Sequence, residues 1–326
     1  MKKFKLPGTD LEATRIALGC MTMGRTWNNE PLDEGTKKNA IVTIRAALEE
    51  GINFFDHADI YARGKSEEAF SYIWQEEPGL RDRIILQSKC GIRFLNDPAE
   101  GYPQRYDFSS DHILNSVENS LRRLKTDYLD ILLLHRPDPL MEPEEVARAF
   151  DRLHGDGKVR YFGISNHTGM QIDLLKKNVR QPLVVNQMEL SILHPDLLES
   201  GIITNQRKPV QQVRGEGTIE YCRLHEITLQ AWSPLAKGLL TGKPAAEDNE
   251  IVESAYRLVK QMAEEKNVSP EAIVIAWILR HPAPIQPVVG TTNPERIRAC
   301  AEADGIELSR EEWYKLFTAG RGAMVP

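Results

Sequence analysis

The chain has 326 residues, 41% of them hydrophobic and 27% charged, with a formal net charge of −6. That balance fits a globular protein and gives no support to a nucleic-acid or membrane-surface partner. Cys20, Cys90, Cys222 and Cys300 are scattered with no C-x-x-C spacing, which argues against both a disulfide framework and a zinc site.

In chain order, "KFKLPGTDLEATRIALG" reads as a β-hairpin turning at "PGTD" and running into a strand at 16–19. Further strands are expected at 52–55, 84–88, 129–135, 161–165, 183–187, 228–232 and 286–290. Between them lie helical patterns, including 36–51, which stops at a glycine, and 269–280, with a proline just inside its start. The clearest helix is 109–125, where Ile113, Leu114, Val117, Leu121 and Leu124 share one face and Ser109 or Ser110 can cap the start. Two longer irregular stretches stand out, at 91–108 and around 193–214. "MKKFKLPGTD" carries no apolar run behind its lysines, and no window approaches a membrane span, so a cytoplasmic location is expected by default.

The strand runs are continuously apolar, as in a parallel sheet covered on both faces. Eight of them alternating with helices predict a single-domain (β/α)8 barrel over 1–326, a TIM barrel whose bottom the N-terminal hairpin closes. Sites on such barrels lie at the C-terminal strand ends. Those ends carry Asp56 with Tyr61 just beyond, then Lys89, His135, Ser165 with Asn166, Gln187, and Trp232 with Ser233. Acid, base and hydroxyl types gathered at one rim suggest proton transfer to a carbonyl oxygen. Lys89 would lower the pKa of a Tyr61 general acid, Asp56 would hold the lysine, and His135 would orient the substrate oxygen. Each residue taken singly has a plainer reading, Asp56 as a turn cap, Lys89 as a strand-end ion pair, His135 as a core histidine. Such a site needs a hydride donor, so a nicotinamide is implied. "GEGTIE" (215–220) is not a Rossmann fingerprint, since it lacks the third glycine and follows no strand.

"GINFFDHADIY", "LQSKCG", "DYLDILLLHRPD" and "GKVRYFGISNHT" together resemble the aldo-keto reductase family, closest to a group of bacterial oxidoreductases. The resemblance covers nearly the whole chain and makes Asp56, Tyr61, Lys89 and His135 its catalytic tetrad. It implies that Ser165, Asn166 and Gln187 hold a nicotinamide carboxamide and that Trp232 stacks on the ring. Ser233, Leu235 and Gly238 would wrap the pyrophosphate. Gly290, Thr291 and Arg296 would meet an adenosine 2′-phosphate, pointing to NADP(H). Gly290 stands where many members carry a lysine, and Ala299-Cys300 replace an acid-amide pair, so a looser adenine end is expected, with Arg298 or Lys237 as compensating cations.

The resemblance implies NADPH-dependent reduction of an aldehyde or ketone. The alternative is a nicotinamide-binding regulatory or sensor subunit with slow or no turnover. A barrel hydrolase or lyase without nicotinamide would need an acid pair or metal ligands facing each other; the sequence offers no convincing set and no cluster with metal-ligand spacing, so no metal is expected. Met21, Met23, Trp27 and Phe94 suggest a pocket for an apolar or aromatic carbonyl compound. "NQRKPVQQVR" (205–214) reads as a basic loop, His57 as a packed residue, and the protein as a monomer.

Overall fold

A computed structural model describes residues 1–202, 217–245 and 249–326. Eight parallel strands close a barrel: β1 (Ala17–Gly19), β2 (Phe54–Asp56), β3 (Ile85–Cys90), β4 (Leu129–Leu134), β5 (Val159–Ser165), β6 (Leu183–Glu189), β7 (Thr228–Trp232) and β8 (Ile285–Val289). Each strand pairs with its neighbour in chain order, and β8 pairs with β1 through Val288↔Ala17 and Val289↔Leu18. The expected barrel is therefore the observed one. Asp56 and Lys89 lie within their strands, each one residue past the expected range, because the ladder continues through Asp56↔Gln87 and Lys89↔Leu133.

Alternation along the strands sorts the core into two layers. Phe55, Leu86, Leu132, Leu134, Phe162 and Ile164 face the helices in the outer core. Ala17, Phe54, Ile85, Ile131, Leu133 and Val185 face the barrel axis, where they meet Leu6, Leu11 and Ala13 of the hairpin Lys3–Lys5/Glu12–Thr14. The hairpin thus seals the floor with buried apolar side chains, Leu6 and Leu11 each contributing about 1.5–3 kcal/mol by leaving water. Gly163 fits that axis because a Cβ there would stand 2.7 Å from Leu133 Cδ2 and from Val185 O.

The helices begin where side-chain oxygens can satisfy their first free N–H groups. Ser109 caps Ser110–Leu124 by accepting from His112 N, and Ser269 caps Pro270–Leu279 by accepting from Ala272 N. Trp277 is core, stacked on Trp313 with ring centroids 5.2 Å apart. The 91–108 stretch is more ordered than its sequence suggests. It folds as a small ladder, Ile92–Arg93 with Arg105–Tyr106, and Arg93 bridges Asp97 and Asp107. The basic 205–214 segment lies outside the described residues.

Candidate active site

At the C-terminal rim, Lys89 is the hub. Its ammonium donates to Asp56 Oδ2 at 2.8 Å, to the backbone oxygen of His57 at 2.8 Å and to Tyr61 Oη at 2.9 Å. All three of its protons are thereby engaged. Because Tyr61 accepts from Lys89, its own O–H is free to donate elsewhere. Lys89 is 1% exposed and Asp56 2%, so this is a buried ion pair with full hydrogen bonding rather than a surface contact. Burial alone would push the lysine down, but Asp56 and Tyr61 more than restore it, leaving its pKa raised.

Tyr61 departs from the expected tuning. Burial pushes its phenol above the ordinary value, and Lys89 offsets only part of that. The lysine holds the phenol in place and moderates its acidity without making it a phenolate, so Tyr61 stays protonated through neutral pH. Behind it, Ala62, Arg63 and Gly64 run at φ 49°, 58° and 86°. Backbone of this kind is costly for two residues that carry Cβ atoms, and it sets the angle at which the chain leaves Tyr61.

His135 stands edge-on to Tyr61, ring centroids 5.9 Å apart. Burial, then Lys89 and Arg136, hold its pKa well below 6.5, so the imidazole is neutral and can donate one N–H. His57 is packed as expected. It is fully buried, set edge-on to Phe70 at 4.8 Å, with its pKa lowered to about 3 by burial and then by Lys89. Its contribution to the site is a backbone carbonyl.

The residues expected to hold a carboxamide come together at the ends of β5 and β6. Ser165 Oγ donates to Gln187 O at 2.8 Å, and Asn166 Nδ2 donates to Ser165 Oγ at 2.8 Å. Trp232 Nε1 donates to Asn166 Oδ1 at 3.2 Å, which fixes the indole beside them. Gln187 spends its Nε2 on Asp56 and Gln230, leaving Oε1 as the atom it can offer a ligand. After Trp232, Ser233, Ala236, Lys237 and Gly238 all have positive φ, a tight winding in which Ala236 N donates to Ser233 O and Gly238 N to Leu235 O. Leu235 is buried beneath that loop.

Arg296 approaches the same loop. It donates to Thr241 Oγ1 at 3.0 Å, pairs with Glu271 at 3.2 Å, and lies 3.6 Å from where a Gly238 Cβ would be. Thr291 is 9% exposed and its hydroxyl accepts from Asn293 N. Gly290 has nothing within 4 Å of a built Cβ. Arg298, expected as a compensating cation, is tied instead to Glu49 and Glu50 on the first helix.

Of the expected pocket residues, Trp27 is 47% exposed and meets Phe94 edge-on at 6.5 Å. Met23 does not line the rim. It is fully buried in the outer core, on a turn in which Met23 N donates to Cys20 O. Sequence reasoning passed over Arg63, whose guanidinium lies 4.7 Å from the Phe94 ring, and Arg136, 5.6 Å from the Trp232 ring. It also passed over Gln87 and Gln230. The signal was available, since Gln87 lies two residues before Lys89 and Gln230 two before Trp232, on the same strand face.

Comparison with known proteins finds similarity along nearly the whole chain. The model of the Aldo/keto reductase family matches residues 15–319. The chain is 37% identical to YcsN, an uncharacterized oxidoreductase of Bacillus subtilis, over 97% of each chain. It is 34% identical to a 6-dehydroglucose reductase of Agrobacterium fabrum, again over 97% of each. Among solved structures, a glycerol dehydrogenase of Gluconobacter oxydans superposes with a TM-score of 0.80 at 26% identity, covering 98% of this chain and 94% of that one.

Proposed function

The chain belongs to the aldo/keto reductase family, and on that basis we propose that it is an NADPH-dependent reductase of small aldehydes or ketones. The observation that carries this reading is the direction of one hydrogen bond. Lys89 donates to Tyr61 Oη, so the phenolic proton is the one left to give to a substrate oxygen.

The cofactor set fits a nicotinamide dinucleotide on the chemistry of its donors. Ser165, Asn166 and the Oε1 of Gln187 would hold a carboxamide, and Trp232 would flank the ring. The Ser233–Gly238 loop, with Leu235 beneath it, would take the pyrophosphate. Gly290 leaves open space beside Thr291 and Arg296, which would meet a 2′-phosphate that NADPH has and NADH lacks. When bound, the reduced nicotinamide supplies the hydride. The chain's own work is to keep a proton on Tyr61, to hold it with a charged Lys89, and to present a neutral His135 N–H to the carbonyl oxygen. As negative charge develops on that oxygen, both donors strengthen.

For the substrate, the rim combines the Trp27 and Phe94 rings with the guanidinium donors of Arg63 and Arg136. The names of the two relatives, a reductase of 6-dehydroglucose and a dehydrogenase of glycerol, concern hydroxylated molecules. Together these favour a hydroxylated carbonyl compound over a purely apolar one. The test is a fluorescence titration with NADPH and with NADH, followed by steady-state reduction of a panel of hydroxylated and aromatic aldehydes. Selective NADPH quenching with turnover is expected. Failure to bind either nucleotide would overturn the reading, and tight binding without turnover would favour the sensor alternative.

A further inference from the structure

Below Lys89, four glutamines from four strands meet inside the barrel, each at most 2% exposed: Gln87 on β3, Gln187 on β6, Gln230 on β7 and Gln286 on β8. Gln286 Nε2 donates to the backbone oxygen of Thr14 at 2.6 Å. Gln230 Nε2 donates to Gln286 Oε1 at 2.8 Å. Gln230 Oε1 accepts from both Gln87 Nε2 and Gln187 Nε2, at 2.8 and 2.9 Å. Those same two amides donate to Asp56 Oδ1, at 2.6 and 3.1 Å.

The polarity of this chain is forced. One end is a peptide carbonyl and the other an ionised carboxylate, and both only accept. Each amide must therefore turn its N–H groups toward one of those ends or toward the oxygen of another glutamine, Gln286 Oε1 for Gln230 and Gln230 Oε1 for Gln87 and Gln187. One acceptor is sacrificed: Gln87 Oε1 is buried with no partner. Turning that amide over would aim its oxygen at Asp56 and at Gln230 Oε1, two further acceptors. An unpaired buried acceptor is costly, and it persists here where it keeps two donors on Asp56.

We infer that Gln230 is a positioning residue for Asp56: by accepting from Gln87 and Gln187 together, it locks both amides with their N–H groups on the carboxylate. The Asp56 carboxylate is thereby aimed, with Oδ1 facing the two amides and Oδ2 left as the acceptor for Lys89. The inference rests on the reductase reading for its catalytic meaning, though the geometry of the carboxylate is a property of the protein alone. The other titratable groups around Asp56 are Lys89 from β3, Tyr61 and His57 from the segment after β2, Cys20 from the end of β1, and His135 after β4.

The experiment follows the Asp56 carboxyl carbon by 13C NMR in aspartate-labelled protein, assigned with Asp56→Asn and titrated without cofactor or substrate. Gln230→Met keeps the side-chain length and removes both hydrogen-bonding functions. It is expected to raise the Asp56 pKa by about one unit, and to move the acidic limb of the kcat profile by the same interval. Gln286→Met leaves the Gln230 oxygen in place and is expected to give a smaller shift. Should Gln230→Met not fold, Gln87→Met, which deletes one donor directly, should move Asp56 in the same direction. An unchanged Asp56 titration in the folded variant overturns the inference. Absence of nicotinamide binding by the unmodified protein would instead overturn the reductase reading, while the NMR result would still stand.

Discussion

The two ends of the proposed cofactor groove are built differently. At the catalytic end, Asp56, Lys89 and Tyr61 are joined by bonds of 2.8 and 2.9 Å, with the ion pair almost wholly buried. At the phosphate end, Arg296 keeps 40% of its side chain exposed, is shared with Glu271 and Thr241, and neighbours a Gly290 surrounded by open space. Buried, fully bonded groups cannot rearrange cheaply, so the first end is set before any ligand arrives. The second can exchange its partners for a phosphate. Changes at the first end should therefore appear in rate and stability, and changes at the second in affinity and cofactor choice.

The sharpest way to break this comparison is Lys89→Met. It leaves the Asp56 carboxylate buried without its cation, and we predict a loss of about 3–5 kcal/mol in denaturant unfolding together with abolished turnover. Adding Asp56→Asn should recover much of the stability and none of the activity. A single variant as stable as the parent would show that the pair is not the anchor of this end.

Tyr61→Phe should lower kcat by about 10²–10⁴-fold while NADPH quenching stays nearly intact. The pH profile of the parent sharpens the assignment. Tyr61 is raised, so the acid form is present below its folded pKa and is lost only as pH rises through it. His135 is lowered, so it is neutral across the same range. Reduction should stay flat through neutral pH and fall on the alkaline side as Tyr61 loses its proton. A loss of rate near pH 7 that disappears in a His135 variant would contradict this.

At the phosphate end, Arg296→Ala should weaken NADPH about tenfold and leave NADH unchanged, as measured by paired fluorescence titrations. Equal weakening of both nucleotides would mean that Arg296 supports the loop around Gly238 and does not read the phosphate. Gly290→Lys meets nothing within 4 Å at its Cβ and should strengthen NADPH binding by a few-fold, with kcat unchanged.

The smallest effect lies on the wall behind Tyr61, where Asp59 N donates to Lys89 O. Burial, and then the nearby Glu67, push the Asp59 carboxyl up to about 7, against the pull of Arg123. Because the folded value lies above the ordinary 3.8, the stability this group contributes is present at acid pH and is lost as pH rises through about 7. Asp59→Asn should therefore raise the melting temperature by about 2–4 °C at pH 8 and by clearly less at pH 5, where only the first part of the window between 3.8 and about 7 has been crossed. Equal shifts at both pH values would remove the titration from the explanation.

Periodicity, capping residues and strand-end polarity were enough to place eight strands, the hairpin floor and the Asp56–Tyr61–Lys89–His135 set, because these are local or near-local signals. "DHADIY" and "LQSKC" announce their chemistry in consecutive letters. What the chain could not settle alone depends on residues far apart in sequence meeting in a dry interior. Burial reverses the expected direction of the Tyr61 shift, since desolvation outweighs a neighbouring cation. Met23 turns into the core and Arg298 turns to Glu49 and Glu50, away from the roles their positions suggested. The glutamine chain beneath Asp56 spans Thr14 to Gln286 and exists only because barrel closure brings β8 beside β1. Sequence patterning determined which faces would be polar, and tertiary packing decided which polar atoms would find one another.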